Sequence, residues 1–207
     1  MTYFPFFVRN TVNEGVGEIT GQVLQPGLER NGIGDLTLGF RYRLLQKNRW
    51  VVSTTFLAGL PTGISDDPQL LNTGDGEFNQ NIQVDVGYGG DKWYATGYLG
   101  FNNRTQGFSE EIRFEAEVGF QPGIKGLILG MKFTGVESLD NGDPSDRGNG
   151  LFANNVEYLS PQITAAWQAD NGLGVSARVG GAFYARNALA APGMELGVFY
   201  KLSKDRS

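Results

Sequence analysis

Strict alternation of apolar and polar side chains over ten-residue stretches is the feature that most constrains this chain, because period two places successive side chains on opposite faces of a β-strand. Between Asp35 and Leu44, one face carries Leu36, Leu38, Phe40, Tyr42 and Leu44, and the other Thr37, Gly39, Arg41 and Arg43. Ile82, Val84, Val86 and Tyr88 alternate with Asn81, Gln83, Asp85 and Gly87. Ile112, Phe114, Ala116, Val118 and Phe120 alternate with Glu111, Arg113, Glu115 and Glu117. Residues 173–183 and 194–202 repeat the pattern. Weaker alternation covers 50–61, 93–102, 126–136 and 156–168, and an aromatic run broken by Pro5 occupies 3–9.

Connection lengths add a second regularity. Short turns at Lys47-Asn48, Gly90-Asp91, Pro122-Gly123 and Asn171-Gly172 alternate with long segments at 10–32, 62–79, 103–109, 137–155 and 185–193. Short turns on one side and long loops on the other are what an up-and-down membrane barrel requires. Trp50, Trp93, Trp167, Tyr88, Phe120 and Tyr200 all fall beside the short turns or near the C-terminus, where an aromatic girdle would meet the membrane interface. Phe56, Phe101, Phe133 and Phe183 suggest a looser belt toward the loops. The expected fold is all-β: one domain over residues 1–207, an antiparallel up-and-down transmembrane β-barrel of about ten strands, or about twelve if N-terminal strands precede it.

Composition narrows the chemistry. No stretch approaches the roughly 20 consecutive apolar residues of a membrane helix. Cysteine and histidine are both absent, which removes disulfides, thiolate metal sites, cysteine nucleophiles and every mechanism with a histidine base. A net charge of −5 without a basic stripe argues against nucleic acid as a partner. No cofactor motif stands out: Gly74 and Gly76 lack the strand-then-helix context of a phosphate loop and read as turn formers. Residues 1–7 have no signal-peptide pattern, so an exported form is expected to begin upstream, with a targeting segment and about two more strands.

The polar face supplies the candidate site. Its lumen-lining set is Arg41, Arg43, Asp85, Glu111, Arg113, Glu115, Glu117, Lys132, Arg178, Glu195 and Lys201, with Glu157 beside them. Signs nearly balance, so an ion-pair lattice filling a narrow barrel competes with a selectivity lining for a polar solute. Glu111, Glu115 and Glu117 share one face, but spacing of two is ordinary on a strand, and no enzyme is expected. Two loops collect acids, Asp66, Asp67, Asp75 and Glu77 in one and Asp140, Asp143 and Asp146 in the other. Neither has calcium-loop spacing, so turn chemistry is their default role and calcium the sharper alternative.

The stretches Thr73-Gly-Asp-Gly-Glu-Phe-Asn-Gln80, Gly100-Phe-Asn-Asn-Arg-Thr-Gln-Gly-Phe-Ser109 and Ala191-Pro-Gly-Met-Glu-Leu-Gly-Val-Phe-Tyr200 resemble a family of uncharacterised, porin- or transporter-like outer-membrane barrels of Gram-negative bacteria, Bacteroidota among them. That resemblance implies an outer-membrane location, contact with lipid and lipopolysaccharide, and further strands before Phe4. A passive channel or transporter for small polar solutes is the leading expectation. The alternatives are a plugged structural barrel, a loop-mediated binding or adhesion protein, and a soluble lipocalin-like barrel with the apolar face turned inward. Oligomeric state is not legible in the sequence.

Overall fold

A computed structural model describes residues 1–69, 71–143, 148–149, 152–188 and 190–201, and among them every regular element is a strand. In chain order these are β1 (Thr2–Tyr3), β2 (Val8–Val12), β3 (Gly15–Val16), β4 (Val23–Gln25), β5 (Leu28–Gly32), β6 (Leu36–Lys47), β7 (Trp50–Leu60), β8 (Asn79–Gly89) and β9 (Trp93–Asn103). They continue as β10 (Glu111–Phe120), β11 (Leu127–Ser138), β12 (Gly148–Asn149), β13 (Phe152–Ala153), β14 (Glu157–Gln168), β15 (Leu173–Gly180), β16 (Tyr184–Arg186) and β17 (Gly193–Tyr200). An eleven-stranded antiparallel sheet runs β1-β6-β7-β8-β9-β10-β11-β14-β15-β17, with β16 pairing β14. The remaining short strands form three separate ladders, β2-β5, β3-β4 and β12-β13.

The alternating segments are thus strands, paired with sequential neighbours through the short turns. Asn48 (φ 54°), Gly123 (φ 89°) and Gly172 (φ 88°) supply the left-handed backbone those turns need. Three expectations are corrected. The 10–32 segment is not an open loop, because Val8–Val12 pairs Leu28–Gly32 and Gly15–Val16 pairs Val23–Gln25. The 173–183 strand stops at Gly180 and resumes at Tyr184. Opposite the break stands Pro161, which has no N–H for the ladder, and one extra residue is accommodated between the Gln162↔Gly180 and Leu159↔Tyr184 pairs. Leu202, at the end of the last predicted strand, lies outside the described residues.

The third correction concerns closure. A ten-stranded barrel would join residues 1–9 to the final strand, but β1 and β17 are the two ends of the sheet and do not pair. β1 is short because the chain turns away at Pro5, whose carbonyl accepts from Gly34 N at 2.7 Å. Only Thr37 and Leu38 of β6 find register partners in it.

The two faces of the sheet differ in the sense opposite to a water-soluble protein. Leu99 is 62% exposed, Ile163 64% and Val198 78%, whereas Thr55 and Asn102 on the other face are 1% and 0% exposed. Among the described residues only Leu71 and Val136 are buried hydrophobics. Apolar side chains form rows across the strands, such as Phe40↔Phe56↔Ile82↔Phe101↔Ile112. An exposed apolar surface of this extent far exceeds the few hundred Å² that soluble monomers tolerate. Among the described residues no helix covers the polar face, and only short ladders and loops lie over one end of it, so its burial along the strands means that the sheet curls around it. A lipocalin-like arrangement needs the reverse, with the apolar face turned inward.

Aromatic residues mark one rim of the apolar surface. Trp50 meets Tyr88 at 4.9 Å between ring centroids, and Tyr88 meets Trp93 at 4.7 Å. Trp167 Nε1 donates to Lys125 O at 3.2 Å in the neighbouring turn region. The looser belt is less regular: Phe56 and Phe101 flank Ile82 toward the loops, while Phe133 sits midway along β11.

Candidate functional site

The enclosed polar face carries most of the residues expected to line a lumen, tied together in pairs. Arg41 Nε donates to Thr55 Oγ1 at 2.8 Å and Arg41 Nη2 to Asp85 Oδ1 at 3.1 Å, while Thr55 and Gln83 also donate to Asp85. Lys132 Nζ lies 3.1 Å from Glu115, and Tyr94 donates its hydroxyl proton to Glu117. Arg178 pairs with Glu195 at 2.9 Å near the open edge. Arg186 bridges Glu157, at 2.6 Å, and Asp140, at 2.7 Å. Two members do not join this lattice. Arg43, beside the register shift at Arg43/Leu45, donates to Gln46 at the turn end, and Lys201 follows β17, exposed, with its N–H on Gly172 O.

At the other end the long segments close over the polar face as a hydrogen-bonded cap. Asn10 donates to Asn72 O and Arg30 pairs with Asp67, tying the β2-β5 ladder to the 61–78 loop. Ser109 N donates to Asn154 Oδ1 at 2.9 Å and Gly142 N to Ser109 Oγ at 2.9 Å, which links 104–110 to 139–143 and 152–155. Asn187 Nδ2 then donates to Asn155 O at 3.1 Å. Asp35 anchors the 61–78 loop by accepting from Gly63 N at 2.8 Å and Asp75 N at 2.9 Å. Gly74 must be glycine for this contact, because a Cβ there would stand 2.3 Å from Asp35 Oδ1.

Arg104, which the alternation pattern could not single out because it sits in a loop, is the hub of the cap. Its Nε donates to Glu77 Oε1, its Nη1 to Glu111 Oε1 at 2.7 Å, and its Nη2 lies 3.9 Å from Asp75. The guanidinium also stacks 4.3 Å above the Phe108 ring. Arg113 Nη2 reaches the second oxygen of Glu111 at 2.7 Å, so Glu111 joins two guanidiniums. All three partners are sealed, with side-chain exposures of 6% for Arg104, 0% for Glu77 and 4% for Glu111. Burial pushes the Glu77 carboxyl up to about 7, with the Asp75 charge adding and Arg104 opposing. Burial also raises Asp75, helped by the Asp35 charge.

Asp67, Asp75, Glu77 and Asp140 are therefore engaged in turn and cap chemistry. Asp67 accepts from Gln69 N at 2.8 Å as well as from Arg30, and Glu77 N donates to Asp75 at 3.1 Å. No group of three or more acids among the described residues is placed to hold a metal ion, and Asp146 lies outside those residues.

Beneath the cap lie two adjoining spaces. One of about 260 Å³ is bounded by Tyr98, Arg113, Thr134, Val136, Val156 and Tyr158, with Asp75, Arg104 and Glu111 at its cap side. The second, of about 410 Å³, lies along the Gly180–Ala182 break and is lined by Ser160, Gln162, Arg178 and Glu195. Tyr158 belongs to both. Small residues at the break leave that volume free.

Comparison with known proteins gives one family. Residues 4–153 match the sequence model of a family described as "Putative MetA-pathway of phenol degradation". No curated protein matches the chain.

Proposed function

We propose that this chain, which belongs to that phenol-degradation family, is an outer-membrane β-barrel-type protein that passes a small phenolic solute along its polar interior without catalysing a reaction of its own. The family match links the chain to a phenol-degradation pathway, and the all-β architecture is compatible with an outer-membrane position. Apolar side chains point outward while many polar ones are buried, which supports the membrane position, and the two adjoining polar-lined spaces beneath the cap are the observation that carries the transport reading. Outer-membrane lipid would meet the apolar rows, and lipopolysaccharide the loop side.

A second reading has its own support. The sealed Arg104 cluster favours a plugged barrel that holds a ligand or a membrane position without conducting ions. Osmotic swelling of lipopolysaccharide-containing proteoliposomes in resorcinol, with protein-free vesicles as baseline and glucose as the larger solute, separates the two. Transport predicts protein-dependent swelling in resorcinol and none in glucose. Swelling equal to the baseline in both solutes returns the protein to the plugged reading.

A further inference from the structure

We infer that the 260 Å³ space beneath the cap is a binding site for a neutral single-ring aromatic carrying a hydroxyl group, with Tyr98, Tyr158 and Arg113 as its hydrogen-bonding residues. This assignment rests on the transport reading for its biological role, but its argument is local. Size comes first. A cavity of about 150 Å³ accepts benzene, so this space has room for one substituted ring.

Polar groups are placed for it. Neither the Tyr98 nor the Tyr158 hydroxyl takes part in a hydrogen bond among the described residues, and both side chains line the space. Arg113 donates through Nε and Nη2 to Glu111, which leaves Nη1 as a further donor. A ligand hydroxyl can accept from Nη1 and donate to a tyrosine oxygen, while Val136 and Val156 meet the ring. Tyrosine hydroxyls both donate and accept, so they suit a hydroxyl better than a group that only accepts.

Charge then selects against an anion. Asp75, Glu77 and Glu111 stand against Arg104 and Arg113, and both guanidiniums are already paired. An incoming carboxylate would find no net positive charge and would give up its water. A neutral hydroxyl escapes that cost.

Fluorine NMR titration of the full chain in lipid nanodiscs tests the site, with empty nanodiscs as the blank for partitioning. The probes are 4-fluorophenol, 4-fluorobenzoate and fluorobenzene at neutral pH. Saturable binding of 4-fluorophenol is expected, at least tenfold tighter than either other probe, and Y98F/Y158F is expected to weaken it tenfold or more. Single Y98F and Y158F variants, checked for unchanged heat-modifiable migration on gels, guard against a folding defect in the double variant. Binding of 4-fluorophenol that is unchanged in a folded double variant, or matched by 4-fluorobenzoate, overturns the assignment. The swelling assay fails independently: binding without protein-dependent swelling removes transport and keeps the site, and swelling insensitive to Y98F/Y158F, with no saturable binding, removes the site and keeps transport.

Discussion

Leu99 tests the outward orientation of the apolar rows most directly. It stands on β9 in register with Val84 and Phe114, 62% exposed, six residues beyond Trp93 in the aromatic rim. At about 3.4 Å per residue and a tilt near 40°, that places it roughly 15 Å above the girdle, the middle of a band about 25 Å tall. An arginine there would sit at the depth of greatest cost, so Leu99→Arg should destabilise the lipid-inserted protein by about 2 to 4 kcal/mol. Val118 is also exposed, at 50%, but only two residues from Phe120, which pairs with Trp93 at the rim, so Val118→Arg should cost about 1 kcal/mol or less. For a face that meets water, either change would stay within about 0.5 kcal/mol. Reversible urea unfolding from vesicles, followed by tryptophan fluorescence, measures both. Equal, small losses at the two positions would refute the depth argument and with it the lipid-facing assignment.

Removing Arg104 should be the most damaging single change in the cap: Arg104→Ala strands the buried Glu77 and Glu111 and is expected to cost about 3 to 5 kcal/mol, read by the same urea titration. In contrast, Glu195→Gln loosens an ion pair whose carboxylate is 62% exposed and should change stability by no more than about 1 kcal/mol. The cap should also respond to pH. Because Glu77 is raised to about 7 in the folded protein, the folded state holds more protons than the unfolded one between about 4.5 and 7. Cap stability is therefore fullest below that window and falls as pH rises through 7; amide protection factors in 61–78 and 104–110, with the intrinsic base-catalysed rise in exchange divided out, should fall from pH 5 to pH 8, and Glu77→Gln should flatten that fall. In planar bilayers the unmodified protein should conduct ions poorly, and shortening Arg113 and Glu115 together to Ala should raise the conductance by removing their bulk and freeing Lys132 from its partner, while Glu111 stays paired with Arg104.

Strand positions were legible in the sequence because period two is a local property. Glu111–Phe120 has the bounds its alternation predicts, and the opposite faces of Glu117 and Val118 follow from parity alone. The turn residues were equally readable, since Asn48, Gly123 and Gly172 adopt backbone angles that few other residues tolerate. Parity misled only where a strand ends or bulges: Arg43 lies beside the register shift in β6, and Lys201 falls beyond β17. What alternation could not say was which face is buried, and it gave no access to the cap. Arg104 and Glu77 are 27 positions apart and Ser109 and Asn154 45 apart, in loops without any repeat. Their meeting depends on where eight antiparallel pairings of the long strands place the loop ends. Closure was decided the same way, since Pro5 turns the chain off the sheet after two residues and leaves β1 and β17 as separate edges. Local pattern specifies a strand and its two faces because neighbouring side chains must alternate, whereas a buried ion cluster exists only once distant segments have been brought together to exclude water.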